Sequence, residues 1–403
     1  MRTVGVLLVA LVLVPPAMAA EQAGLPLVDL SGDTDRQFVV ARGTTTDWQG
    51  HPHTVLLGDG TTILCVWQGR QDGTAGHGAP GGLLKRSVDG GRTWSGLLEV
   101  PADWRLNGRG SPTIHRLVDA DGAARVFVYC RDEGRTTFLH ALSADEGRTW
   151  SALRPLDGRA PADPPITGWT APISILEARR ADGHRKHLMW YERGRDGRPT
   201  PGVIWQSASS DGGRTWGESR AVVDMGEAAE PAVVRSPDGR HLLMLIRENS
   251  RRFNSLAAIS ADEGETWSTP RELPSFLTGD RHLARYATDG RLVVVFRPVP
   301  PSADARAEVA WLRGVQDSHP TAWVGRYEDL VAGKPSGYLV KLLHSHAGAD
   351  HTYPGLERLP DGTFVATTYL KYRAGPELHS VVSVRFTLAE TDALSGGGSG
   401  EPR

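Results

Sequence analysis

Arginines that end apolar runs are the residues of this sequence best placed to do chemistry. Arg247 closes Leu242-Leu243-Met244-Leu245-Ile246; by the same register Arg70, Arg131 and Arg297 close apolar runs of their own, and Arg281 follows Gly279-Asp280. A guanidinium at the end of so apolar a segment needs an anionic partner or water, and its planar fork fits a carboxylate. Internal pairing with Asp72, Asp132 or Glu248 is the plain alternative for each. His51 and His53, with His77 further on, form a His-x-His pair whose third ligand no spacing fixes, so no required metal is expected. No glycine-rich phosphate loop and no nucleophile-elbow serine occurs, and no cofactor is expected.

Aspartates recur in a different pattern. Ser-x-Asp-x-Gly-x-Thr-Trp appears four times, as SVDGGRTW (87–94), SADEGRTW (143–150), SSDGGRTW (209–216) and SADEGETW (260–267). Apolar runs also flank six Asp-Gly pairs, at Asp59, Asp121, Asp182, Asp238, Asp289 and Asp361. Asp-Gly between such runs marks a tight hairpin, because the turn needs a positive φ that glycine adopts at little cost. Each unit therefore opens with a hairpin; in the fourth, 231–235, 241–247 and 255–260 read as three strands and the box turns the chain into another. The expected fold is all-β, a six-bladed β-propeller with four-stranded antiparallel blades and Asp-box hairpins, closed by pairing of 37–41 with 380–386. Asp89, Asp145, Asp211 and Asp262 then serve their own turns, accepting N–H bonds, and do not converge on one substrate.

The chain has 403 residues, 39% hydrophobic and 23% charged, which excludes disorder and a multi-span membrane protein. Forty-five Lys plus Arg against 47 Asp plus Glu leave a formal charge of -2, so no global field points to nucleic acid or an anionic membrane. Residues 1–20 read as a signal peptide: Arg2, an apolar run from Val4 to Val14, and Ala17-Met18-Ala19 as cleavage site. A secreted or periplasmic protein is expected, with a propeller over 21–394 and a flexible tail over 395–403. Cys65 and Cys130 sit in strand-like runs and are expected as buried free thiols, with a single bridge between them the alternative.

Boxes, signal peptide and six units together resemble the sialidase (neuraminidase) superfamily over nearly the whole mature chain. Tyr353-Pro354-Gly355-Leu356-Glu357-Arg358 is similar to the segment that presents that family's nucleophilic tyrosine, so the resemblance implies Tyr353 as nucleophile. A sialic acid carries a carboxylate on its anomeric carbon; a neutral phenol attacks there without the repulsion an Asp or Glu would meet. Glu230, in Ala229-Glu230-Pro231-Ala232, matches the glutamate that takes the phenolic proton, and Arg247 matches one of three arginines holding the substrate carboxylate. Arg281 and Arg297 are candidates for another, with Arg313 a further one. His53 stands where the family's first arginine would be. For the acid/base residue the loop 72–78 offers either His77, the closest by count, or Asp72.

The resemblance implies an exo-acting, retaining glycosidase, a monomer, taking a glycan that ends in sialic acid or a related acidic sugar. Two other classes use the same parts. A polysaccharide lyase would abstract the proton beside a uronate carboxylate with Tyr353 or His77. A non-catalytic carbohydrate-binding propeller would stack sugars on Trp104, Trp169 or Trp190.

Overall fold

The computed structural model describes residues 24–70, 82–105, 111–119, 121–132, 137–156, 168, 170–179, 183–195, 201–299, 319–347 and 350–396. Residues 1–20, expected above to be a signal peptide, and Asp72, His77, Trp169, Arg313 and the residues from 397 lie outside the described residues. The rest is all-β, with five hydrogen-bonded sheets. Short, almost wholly apolar strands such as Leu292–Pro298 and Phe364–Leu370 are covered on both faces, which is why they lack the alternation of a half-exposed strand.

Most of each sheet is built from consecutive antiparallel strands. Trp48–Leu56, Ile63–Arg70 and Leu83–Ser87 form one, and Thr113–Val118, Ala124–Arg131, Phe138–Ser143 and Arg154–Pro155 the next. The third has seven strands because Gly217–Arg235 is 19 residues long; its first part pairs with Gly202–Ser209 and its last part with Leu242–Glu248. The sequence reading places one strand at 231–235 and a separate one after the box at 209–216. The latter runs on into the former without a separating loop, since Gly226 at φ +58° and Glu230 at φ +47° let the chain change direction while pairing continues.

Gly279–Tyr286 begins the fourth sheet, in which the N-terminal Leu27–Asp29 adds a parallel strand beside Tyr338–Lys341. The last sheet holds Gly355–Arg358, Phe364–Leu370 and Ser380–Phe386, and Gln37–Ala41 completes it in the register Gln37↔Val384, Val39↔Val382. Strands of different sheets touch: Trp48–Leu56 meets Thr113–Val118, Gly217–Arg235 meets Gly279–Tyr286, that strand meets Gly355–Arg358, and Gly355–Arg358 returns to Trp48–Leu56. At this last meeting a side chain on Gly355 would lie 2.1 Å from Thr54 Oγ1, so the glycine is what allows the two ends of the chain to approach.

The repeated boxes act within their own turns. Asp145 Oδ1 accepts from the N–H groups of Arg148 (3.0 Å) and Thr149 (2.9 Å) and from Ser143 Oγ (2.7 Å), while Thr149 Oγ1 donates to Oδ2 at 2.6 Å. Asp89 and Asp211 repeat this pattern. With both oxygens engaged locally, these carboxylates are turn staples. Trp104 and Trp190, considered above as sugar platforms, are fully buried core residues, so neither offers a face to a sugar. Cys65 and Cys130 are both buried.

Candidate active site

Four non-glycine residues in the left-handed region lie where the site is built. His51 (φ +51°), Glu230 (φ +47°) and Arg281 (φ +53°) each sit at a register irregularity between two antiparallel strands, and Thr352 (φ +57°) precedes Tyr353. Such a conformation costs on the order of 1–3 kcal/mol per residue and survives only where surrounding packing enforces it. The extra residue of a bulge also breaks the two-residue alternation, re-aiming the side chain it carries.

Those side chains meet on one phenol. Tyr353 Oη donates to Glu230 Oε1 at 2.8 Å, although 123 positions separate the two residues. The Arg281 guanidinium lies over the Tyr353 ring, 4.5 Å from its centroid, and its Nη1 is 4.0 Å from the same carboxylate oxygen. His51 stacks on the ring at 4.4 Å. Arg297 approaches the ring at 5.7 Å, and Arg247 Nη1 reaches Glu230 Oε2 at 3.3 Å. Tyr353, Glu230, Arg247, Arg281 and Arg297 therefore occupy one cluster.

A second carboxylate organises the arginines. Asp280, which has no exposed surface, accepts from Arg251 Nη1 (2.6 Å) and Nη2 (2.9 Å) and from Arg297 Nη2 (2.6 Å) and Nε (3.0 Å), with Arg247 Nε at 3.1 Å. Arg247 does not use Glu248, its neighbour in sequence; successive residues of a strand point to opposite faces. Glu248 instead accepts the N–H of Glu227 and the hydroxyl of Ser250.

Burial alone would raise the Glu230 carboxyl, but the Arg247 and Arg281 guanidiniums outweigh it and hold the group below the usual carboxylate range. Burial, then the Glu230 charge, push the Tyr353 phenol well above its ordinary value. At neutral pH the pair is thus a protonated phenol hydrogen-bonded to an ionised carboxylate. That is the arrangement in which an otherwise weak nucleophile loses its proton to a neighbour as it attacks.

Glu192, in the strand Lys186–Arg193, is the member the sequence reading missed. It is buried, its Oε1 accepts from Thr170 N–H (2.7 Å) and Thr170 Oγ1 (3.0 Å), and burial followed by the Glu230 charge raises its pKa to about 7. The available signal was its position near the end of the apolar run Leu188-Met189-Trp190-Tyr191, where other units carry arginine.

His53 is placed differently from the expectation. Its Nδ1 accepts the Ile114 N–H at 3.3 Å, and its ring lies 5.1 Å from that of His115. Burial and the nearby His115 and Arg281 charges depress its pKa well below the ordinary value, so it is neutral and cannot supply an arginine's charge. The bulge between Gly50 and His53 gives the stacking position to His51 instead. Among the described residues no group of three or more His, Cys, Asp or Glu is placed to hold a metal ion.

A family model described as "BNR repeat-like domain" matches residues 34–364. A sialidase of Micromonospora viridifaciens is 25% identical over 353 residues, covering 78% of this chain; the chain spans about half (48%) of that relative's length. Among solved structures, an α-L-arabinofuranosidase of Fusarium graminearum superposes with a TM-score of 0.60 at 14% identity, over 88% of this chain and 98% of that one. The NanB sialidase of Streptococcus pneumoniae gives 0.54 at 13% identity, over 88% and 70% respectively. These structural likenesses describe a shared fold.

Proposed function

The chain belongs to the BNR repeat-like domain family, and from that membership we propose a glycoside hydrolase of sialidase type, built as six four-stranded blades around the Tyr353 cluster. The proposed enzyme is exported, monomeric and exo-acting, and it releases terminal sialic acid or a related acidic sugar with retention. The observation that carries this reading is the 2.8 Å bond from the Tyr353 phenol to an ionised, arginine-flanked Glu230.

In the first step Tyr353 Oη bonds to the anomeric carbon, its proton passes to Glu230, and the bond to the leaving oxygen breaks as that oxygen takes a proton from the acid. Water then attacks the same carbon, gives its proton to the acid's conjugate base, and Glu230 returns a proton to the departing phenolate. Two displacements at one carbon restore its configuration. The resemblance assigns the acid to His77 or Asp72. Among the described residues Glu192 is a carboxyl that still holds a proton near neutrality, and two carboxyls pushed apart in pKa, like Glu192 and Glu230, are a familiar division of acid and base roles.

Glu192 makes a separate, measurable prediction. Its folded pKa of about 7 lies above the 4.5 of an unperturbed Glu, so folding stability from its protonated form is full below about 4.5 and is lost as pH rises through about 7. The loss amounts to about 3 kcal/mol. Denaturant titrations of Glu192→Gln across this range should show a flatter pH dependence than the parent; parallel curves would contradict the assignment.

The functional reading is tested by incubating the full chain with a fluorogenic sialoside, a fluorogenic arabinofuranoside and uronate polymers. Release from the sialoside is expected. Release from the arabinofuranoside alone would overturn the acidic-sugar reading, an unsaturated ultraviolet-absorbing product would mark a lyase, and glycan binding without turnover would mark a binding propeller.

A further inference from the structure

We propose that Asp280 sets the basin's selectivity: it is a built-in carboxylate that occupies Arg247, Arg251 and Arg297 and leaves Arg281 to read an acidic group on the sugar. The inference rests on the functional reading above for one point, that the basin beside Tyr353 receives the sugar.

The donors of the cluster account for it. Arg297 gives Nε and Nη2 to Asp280 and Nη1 to the His351 carbonyl at 3.3 Å. Arg251 gives both terminal nitrogens to Asp280, with Nη1 also on the Glu248 carbonyl. Arg247 directs Nε at Asp280, Nη1 at Glu230 and Nη2 at Asn249 Oδ1, the last at 2.7 Å. Arg247 Nε and Arg281 Nη1 both lack a hydrogen-bond partner among the described residues, but Arg247 Nε lies 3.1 Å from Asp280, whereas the nearest carboxylate oxygen to Arg281 Nη1 is Glu230 Oε1 at 4.0 Å.

A carboxylate held by three guanidiniums is what an anion-binding clamp looks like when it is full. Here the occupant is tethered. Asp280 stands opposite Arg297 in the strand register, so backbone pairing as well as charge keeps it in place. For a substrate carboxylate to displace it, Asp280 would have to remain buried without its partners, a penalty of several kcal/mol. An incoming acid therefore gains Arg281 and little else, and the basin discriminates weakly between an acidic sugar and its uncharged counterpart.

Calorimetric titration of the full chain with N-acetylneuraminic acid and with its methyl ester tests this. The parent protein should prefer the acid by less than about tenfold, one guanidinium's share being on the order of 1 kcal/mol. Asp280→Asn, which keeps the shape and removes the charge, should bind the acid about tenfold or more tighter than the parent, with the ester unchanged. In Asp280→Ala, added acetate should reverse the gain by refilling the space. A parent preference of a hundredfold or more overturns the proposal, and so does a folded Asp280→Asn with no gain. If Asp280→Asn does not fold, the acid-to-ester ratio of the parent decides alone. Failure of every variant to turn over a sialoside would count against the functional reading, while the binding ratio would still report on Asp280.

Discussion

Tyr353→Phe is expected to lower kcat by about a thousandfold or more, because it deletes the attacking oxygen and leaves only the binding and electrostatic parts of the site. The fold should survive. Phe keeps the ring that stacks on His51 and lies under Arg281, and Glu230 loses one hydrogen bond yet keeps Arg247 at 3.3 Å. A thermal melt within a few degrees of the parent, together with the collapse in kcat and a KM that stays within severalfold, is the predicted combination. Near-parental turnover would remove Tyr353 from the mechanism. A lost melt would make the residue structural.

Glu230→Gln should be costly in both activity and stability. The charge it removes is buried against Arg247 and Arg281, and breaking one side of a buried ion pair typically costs about 3–5 kcal/mol. Asp280 moderates the damage by keeping a counter-charge on Arg247. The pH dependence carries a definite sign. Glu230's folded pKa is depressed, so its contribution to stability is present above about 4.5, its unperturbed value, and is lost as pH falls through the folded value. The parent should therefore lose stability in acid, and the variant should lack that loss. The Glu230 charge also raises the phenol's pKa while Arg247, Arg297 and Arg281 lower it. Removing the charge makes Tyr353 easier to ionise, and the activity lost at neutral pH should partly return under alkaline conditions. A pH–rate profile for Glu230→Gln that parallels the parent's would rule out Glu230 as the acceptor of the phenolic proton.

Much of the architecture was legible because its signals are local. An Asp-Gly turn or a Ser-x-Asp-x-Gly-x-Thr-Trp box carries nearly all the contacts that stabilise it within eight residues, so the string itself records them. The pairing of 37–41 with 380–386 was also readable, since two apolar β-prone segments were left without partners at the two ends. The unbroken strand Gly217–Arg235 was not legible. Whether an outer strand stops before the next begins depends on how two neighbouring sheets pack, which no short window contains.

For the site, the sequence by itself determined which residue types were on hand and, through resemblance, that Tyr353, Glu230 and several arginines were the ones to examine. Only the tertiary structure decided their states: that Asp280 fills the arginine cluster, that Glu192 holds its proton to about pH 7, and that His51, not His53, stacks on the phenol. The reason is physical. Ionisation and pairing depend on which charges come within a few ångströms once water is excluded, and here those neighbours are set by bulges and strand register joining parts of the chain more than a hundred residues apart.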